Sequence, residues 1–329
     1  MFMYRRKALA VVGAIAIALA STSPVVHAAD PWPTKPITWV VPFTPGGSTD
    51  VIARTIGQKL SEALGQPVII ENKPGAGGAI GATYVAKAKP DGYTLFGGTI
   101  STHAINASLY KDLPYDPVKD FEPVALVAFL PNVLIVNPNL GVNNVQDLVA
   151  LLKKDPSKRN FASSGSGTST HLTGELFADV IGVPLTHIPY KGTPPAMQDV
   201  VGGQVPFMFD QMTAAVSLAE AGKLKVIATT AAKRTTLAPD MPTMAEGGVP
   251  GFDVSSWQAV YAPAGTPKDI VQKLNTEIVK ILKMPDVRDK LGKQLGMELV
   301  GGSPEDLAAL MKREIPRWAE LVKKSGAKP

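Results

Sequence analysis

No cysteine occurs in the 329 residues. Its absence excludes disulfides, thiol catalysis and a lipid-anchored N-terminal cysteine. The fold must be held by an apolar core, which a chain this long can bury. Histidine is scarce, with four residues, and His103, His171 and His187 show nothing like the His-Glu-x-x-His spacing of a zinc site. No metal and no cofactor are therefore expected. Only 19% of residues are charged, and past the N-terminus no apolar run is long enough for a membrane-spanning helix. The 45% hydrophobic content is that of a globular chain, and the 30 Gly and 29 Pro are dispersed, marking turns and no low-complexity tract. The length allows two domains.

What is present begins with a targeting pattern. Arg5, Arg6 and Lys7 precede an apolar core from Ala8 to Ala20, and Val26, His27 and Ala28 supply a small-residue cleavage site. Residues 1–28 are expected to be a signal peptide cleaved near Ala28, leaving an exported, soluble chain. Loss of the three basic residues takes the formal charge from +5 to near +2. So small an excess gives no reason to expect nucleic acid or an anionic membrane as partner.

From Ile37 onward, short apolar strands alternate with helices. Trp39, Val40 and Val41 read as a buried strand, broken by Pro45, Gly46 and Gly47. Ser48, Thr49 and Asp50 offer N-cap side chains to a helix carrying Ile52, Ile56 and Leu60, which Gly65 can end. Strand candidates follow at 68–70 and 94–96, the second running into a polar loop from Thr99 to Asn106. A glycine-rich loop at 72–78 leads to a helix around 80–88. Apolar segments at 124–129 and 133–136 precede a helix at 145–152. A strand at 160–162 then runs into Ser163–Thr170, with a helix from His171 to about Ile181. Further strands are expected at 186–189, 206–209, 225–229 and 254–261. Further helices are expected at 196–201, before Gly222, at 269–282, and after Ser303 with Pro304 at its first position.

This alternation predicts an α/β fold with mainly parallel sheets flanked by helices. Two junctions, after residues 41 and 162, share the order strand, small polar loop, helix. They lie roughly 120 residues apart and point to two similar lobes whose helix N-termini could face one cleft. Unpaired amides at a positive helix end favour an anion by about 0.3–1 kcal/mol, and by up to about 2 when partly buried. Two such ends would pin one carboxylate without an arginine.

Enzyme motifs fit poorly. Gly75–Ile80 misses the dinucleotide fingerprint at its last position, and Ala221–Leu224 lacks the residues of a Walker loop. Ser164-Gly-Ser-Gly167 is one glycine short of a nucleophile elbow. The enzyme alternative is an exported hydrolase using Ser166 with His171 as base, although five residues rarely bring a base into line with its nucleophile. Asp50, Glu175 and Asp210 are isolated acids, and only Asp210, at a strand end, is placed for a cleft.

Several motifs together resemble the exported solute receptors of tripartite tricarboxylate transporters, the Bug proteins. They are Val41-Pro-Phe-Thr-Pro-Gly-Gly-Ser-Thr-Asp50, Glu71-Asn-Lys-Pro-Gly-Ala-Gly-Gly78, Lys89-Pro-Asp-Gly-Tyr-Thr94 and Leu113-Pro-Tyr-Asp-Pro117, then Gly165-Ser-Gly-Thr168, His187-Ile-Pro-Tyr-Lys-Gly192 and Ala262-Pro-Ala-Gly-Thr-Pro267. The resemblance implies a two-lobed periplasmic binding protein that is not an enzyme. Such a protein closes over a small carboxylated solute and passes it to membrane subunits of a transporter, or, in another reading, to a sensor. Lobe 1 would comprise residues 30–126 and 230–329, lobe 2 residues 127–229, with crossings near 124–130 and 226–232. The soluble chain is expected to be a monomer. Carried over, the lobe 1 contacts are Phe43, Gly46, Gly47, Ser48, Ser101 and Thr102. Those of lobe 2 are Gly165, Ser166, Gly167, Thr168 and Ser169, with Tyr190 and Asp210 nearby and Asp210 tuning selectivity. One segment departs from the family pattern: Gln211–Val216 stands where a Pro- and Ser-containing stretch is expected, at the far wall of the pocket.

Overall fold

A computed structural model describes residues 32–235 and 238–328. The proposed signal peptide lies outside the described residues. From Lys35 onward the chain forms one compact unit.

In chain order the strands and helices are β1 (Ile37–Val41), α1 (Ser48–Leu64), β2 (Val68–Asn72), α2 (Ala79–Ala86) and β3 (Thr94–Thr99). Then come β4 (Phe121–Val136), α3 (Val145–Lys154), β5 (Asn160–Ser163), α4 (Ser169–Ile181), β6 (Thr186–Pro189), α5 (Thr193–Val201), β7 (Phe207–Gln211), α6 (Met212–Glu220) and β8 (Lys225–Thr229). The last elements are β9 (Ser255–Pro263), α7 (Lys268–Leu282), β10 (Glu298–Gly302) and α8 (Pro304–Ser325).

The strands form one mixed sheet in the order β2-β1-β3-β9-β4-β7-β5-β6, with β8 and β10 also on β4. The expected parallel ladders are β2-β1-β3 at one end and β6-β5-β7 at the other. Between them the connecting strands pair antiparallel. The apolar segments at 124–129 and 133–136 are halves of one long strand. Residues 121–131 of β4 pair with β9, and residues 132–136 pair with β7 and β8. Pro131, which has no amide to donate, sits at the exchange of partners. This is the two-lobed architecture of periplasmic binding proteins.

Local chemistry accounts for most boundaries. Gly65 ends α1 in the left-handed conformation at φ 68°. Ser303 and Asp306 form a capping box on α8, with Pro304 at its first position. Helix α8 continues through Pro316, and Trp318 stays buried, donating from Nε1 to Glu314 at 3.1 Å. It packs on β4, on α4 and on the helical turns that follow β3. One element was not foreseen: β10 pairs with β4, although Glu298-Leu-Val-Gly-Gly302 carries only two apolar side chains.

Apolar residues of both parallel ladders meet at this central sheet. Phe161, Phe177, Phe207 and Phe209 interlock at ring-centroid separations of 5.5–6.4 Å. In the other half, His103 stacks on Tyr261 at 3.8 Å and meets Phe121 edge-on at 4.7 Å. Gly98 makes room for this stack, because a Cβ there would lie 2.5 Å from the Tyr261 ring.

Candidate functional site

The two strand-to-helix junctions meet. At the first, the N-cap of α1 is Gly47, and no side chain caps the helix. Ser48, Thr49 and Asp50 are not the capping residues expected; they form the buried first turn of α1. Asp50 works backwards, accepting from Gly46 N–H, Arg54 Nε and Asn72 Nδ2, each at 2.9 Å. Burial acts to raise its pKa, but these hydrogen bonds together hold it below the usual carboxylate range. The acid thereby braces the turn while the helix end stays open.

At the second junction, Thr168 caps α4 by accepting from His171 N–H at 3.3 Å. Its hydroxyl lies 2.7 Å from the Gly165 carbonyl, to which it donates. Gly165 and Gly167 hold φ of 134° and 82°, conformations that L side chains rarely adopt. The helix therefore starts two residues before His171.

The polar loop expected from Thr99 to Asn106 is instead helical over Ser101–Ile105 and Asn106–Leu109. Thr102 Oγ1 accepts from Thr99 N–H at 3.0 Å and lies 2.9 Å from His103 Nδ1. Ser101 Oγ accepts from Ser169 N–H at 3.2 Å, joining the third loop to the start of α4.

These parts enclose a cavity of about 30 Å³. Phe43, Gly47, Ser48 and Thr49 line it from the α1 junction, Thr99 and Ser101 from the end of β3, and Ser164, Thr168 and Ser169 from the α4 junction. Thr193, Gln211, Ser256 and Gln258 complete it. Among the described residues, no charged side chain lines it. The far wall is held to the start of α1 by Ser48 Oγ donating to Gln211 Oε1 at 3.3 Å and Thr49 Oγ1 donating to Gln258 Oε1 at 3.0 Å. Gln211 is fixed from behind by Asn132, whose Oδ1 accepts from Gln211 Nε2 at 3.1 Å while its Nδ2 donates to Thr173 at 2.9 Å.

Of the thirteen residues named from the sequence, Phe43, Gly47, Ser48, Ser101, Thr168 and Ser169 line this cavity. Gly165, Ser166 and Tyr190 line an adjoining pocket of about 220 Å³ that shares Phe43 and Ser164 with it. The Tyr190 hydroxyl is turned to Asp199 at 2.5 Å, and burial followed by that carboxylate raises its pKa to about 12. Gly46 borders a groove of about 430 Å³ with Pro194 and Met197, reached past Thr193. Thr102, Gly167 and Asp210 line none of the three. Gly167 N–H points at His171 Nδ1, 3.3 Å away.

Asp210 lies one residue behind the wall, fully buried, with Oδ1 accepting from Gln211 N–H at 2.7 Å and Oδ2 without a hydrogen-bond partner among the described residues. Burial pushes its pKa up to about 7, against the lowering influence of Thr193 and the Gln211 amide. Sequence reasoning missed Thr49, Thr99, Ser164, Thr193, Ser256 and Gln258, and had Gln211 at the far wall only as the start of the segment that departs from the family pattern. A signal existed for two of them: Ser256 and Gln258 are polar at alternate positions of a strand that is apolar at Trp257 and from Ala259 onward.

The hydrolase geometry is missing. The Ser166 carbonyl accepts from Tyr110 OH at 3.2 Å, and His171 is engaged by Gly167 N–H and by Glu175, 3.5 Å from Nε2. The serine and histidine that do meet are Ser163 and His187, Oγ to Nε2 at 2.6 Å. Ser163 is completely buried and its hydroxyl accepts from Gly165 N–H, so no substrate carbonyl reaches it. Among the described residues, no cluster of three or more His, Asp or Glu side chains could hold a metal ion, and no helix is long and apolar enough to cross a membrane.

The family model described as "Tripartite tricarboxylate transporter family receptor" matches residues 52–327. The chain is 39% identical over 327 residues to Protein BugT of Bordetella pertussis, covering 99% of each chain. Among solved structures it is similar to Rpa4515 of R. palustris with adipate, at 42% identity and a TM-score of 0.87 over 91% of this chain and 99% of that one. MatC from Rhodopseudomonas palustris with bound malate follows at 39% identity and a TM-score of 0.84, over 88% of this chain and all of that one.

Proposed function

The chain belongs to the tripartite tricarboxylate transporter family of receptors, a family of solute-binding proteins, and from that premise we propose that it captures a small carboxylate between its lobes for delivery to the membrane subunits of such a transporter. What supports this most is the convergence of two helix starts and Ser101 on one cavity without a charged side chain. Backbone amides at the starts of α1 and α4, with the hydroxyls of Ser101 and Ser169, hold the carboxylate. Each contributes a hydrogen bond and a share of helix dipole, with no salt bridge to break on release. The adipate and malate of the two solved relatives support the same ligand class.

In this reading lobe 1 is residues 30–126 and 230–329, lobe 2 is 127–229, and the hinge is the stretch where β4 changes partners. Ligand binds the closed state better than the open one and so shifts the balance between them. Phe43 covers the carboxylate, Gly165, Ser166 and Tyr190 form the mouth, and Gly46, Thr102, Gly167 and Asp210 support the loops. The exported chain acts as a monomer in the periplasm after cleavage near Ala28 and performs no chemistry on its cargo. Calorimetric titration of the purified chain with a panel of small carboxylates tests this. Saturable binding accompanied by a fall in radius of gyration is expected; no saturable binding by any member of the panel would falsify the proposal.

A further inference from the structure

A helix-end clamp accounts for one carboxylate and leaves open what the rest of the ligand must be. The opposite wall answers in chemical terms. It is built by Thr99, Gln211, Ser256 and Gln258, all at most 7% exposed and all neutral. Thr99 Oγ1 is buried against this cavity and has no hydrogen-bond partner among the described residues. A buried hydroxyl left unpaired is a cost that a ligand with a matching polar group removes. Gln258 is already oriented, its Oε1 held by the Thr49 hydroxyl at 3.0 Å, so its carboxamide is set for a neutral polar partner.

The same wall is unfavourable for a second carboxylate. Among the described residues, no Lys, Arg or His side chain lines this cavity to offset the desolvation of another negative charge, whereas Lys191 lines the adjoining pocket. Size sets the remaining bound. About 30 Å³ corresponds to roughly two or three water-sized sites, so this cavity holds the carboxylate and the atoms near it, and any longer part of the ligand lies in the adjoining pocket of about 220 Å³.

We infer that the ligand carries a hydroxyl or keto oxygen near its clamped carboxylate, and that Thr99 and Gln258 read it. This rests on the carboxylate-receptor reading above and narrows it. The test is calorimetry on the full mature chain with matched acids: lactate and pyruvate against propionate, and 3-hydroxybutyrate against butyrate. The hydroxy and oxo acids are expected to bind about tenfold to a hundredfold tighter than their unsubstituted partners. Thr99→Val and Gln258→Leu are expected to bring lactate and propionate to within about threefold of each other. Equal binding of matched acids overturns this inference and leaves the carboxylate reading standing. Failure of every acid to bind removes both. Because the wild-type series alone decides between these outcomes, a variant that does not fold does not protect the proposal.

Discussion

Ser169 donates its backbone N–H to Ser101 Oγ across 3.2 Å, and in doing so joins the start of α4 to the turn that follows β3. The two residues are 68 positions apart, and the bond is buried. It ties the two halves of the clamp in the conformation that encloses the cavity. Ser101→Ala removes this acceptor and, with it, the hydroxyl offered to the carboxylate. A single neutral hydrogen bond contributes about 0.5–1.5 kcal/mol, so affinity for the best carboxylate should fall several-fold, up to about tenfold. Calorimetry measures the loss, and small-angle scattering should show the ligand-free variant at least as open as wild type.

A glycine controls how closely the halves approach. Gly77 has φ 57°, and a Cβ on it would lie 2.4 Å from the Ser166 carbonyl oxygen. Because that obstacle is backbone, it cannot swing aside. Gly77→Ala should cost about 1–2 kcal/mol in the left-handed conformation and also hold the cleft ajar. Affinity is expected to drop by more than about tenfold, a larger effect than the fall in unfolding free energy alone accounts for. Unchanged affinity in a folded variant would show that closure does not bring these two loops together.

Ser166 offers the opposite case. Only its carbonyl makes a cross-cleft contact, so Ser166→Ala keeps what matters. Binding should change by less than about twofold, within the range of substitutions that break no buried contact. Wild type and variant should be equally inactive on ester substrates; turnover that disappears with Ser166 would reinstate the hydrolase.

Asp210 gives the fold a pH dependence of defined sign. Its carboxyl has a folded pKa near 7, raised by burial, against about 3.9 in an unfolded chain. Between these values the folded state holds the proton more tightly. The resulting stability is fully present below about pH 4, is lost as pH rises, and is gone above about pH 7, with a slope of up to about 1.4 kcal/mol per pH unit. His103 acts in the other direction. Burial lowers its pKa to about 3, so its contribution to stability is lost as pH falls below about 6.5. Urea titrations at several pH values should show wild type with partly cancelling slopes, and Asp210→Asn with a clearly steeper rise in stability from pH 4 to 6.5. Parallel curves for the two proteins would mean that Asp210 titrates normally.

The order of strands and helices could be read locally because its determinants are local. Gly65 and the pair Ser303–Pro304 mark helix ends by backbone geometry and capping, whatever they pack against. The junctions at Gly47–Ser48 and Thr168–Ser169 were recognisable for the same reason: glycines and hydroxyls between an apolar strand and a helix carry their own turn chemistry. The joining of 124–129 and 133–136 into one strand, and the pairing of β10, depended on partners far along the chain. So did the cavity wall. Thr99, Gln211 and Gln258 come from three strands, and each faces the cavity only because of the register in which its strand is paired. Asp210 and Gln211 show why. They are neighbours on β7, and successive side chains of a strand point to opposite faces. The chain specified that an acid and an amide would stand at that strand end. Only the sheet decided that the amide would face the cleft and the acid would be buried behind it.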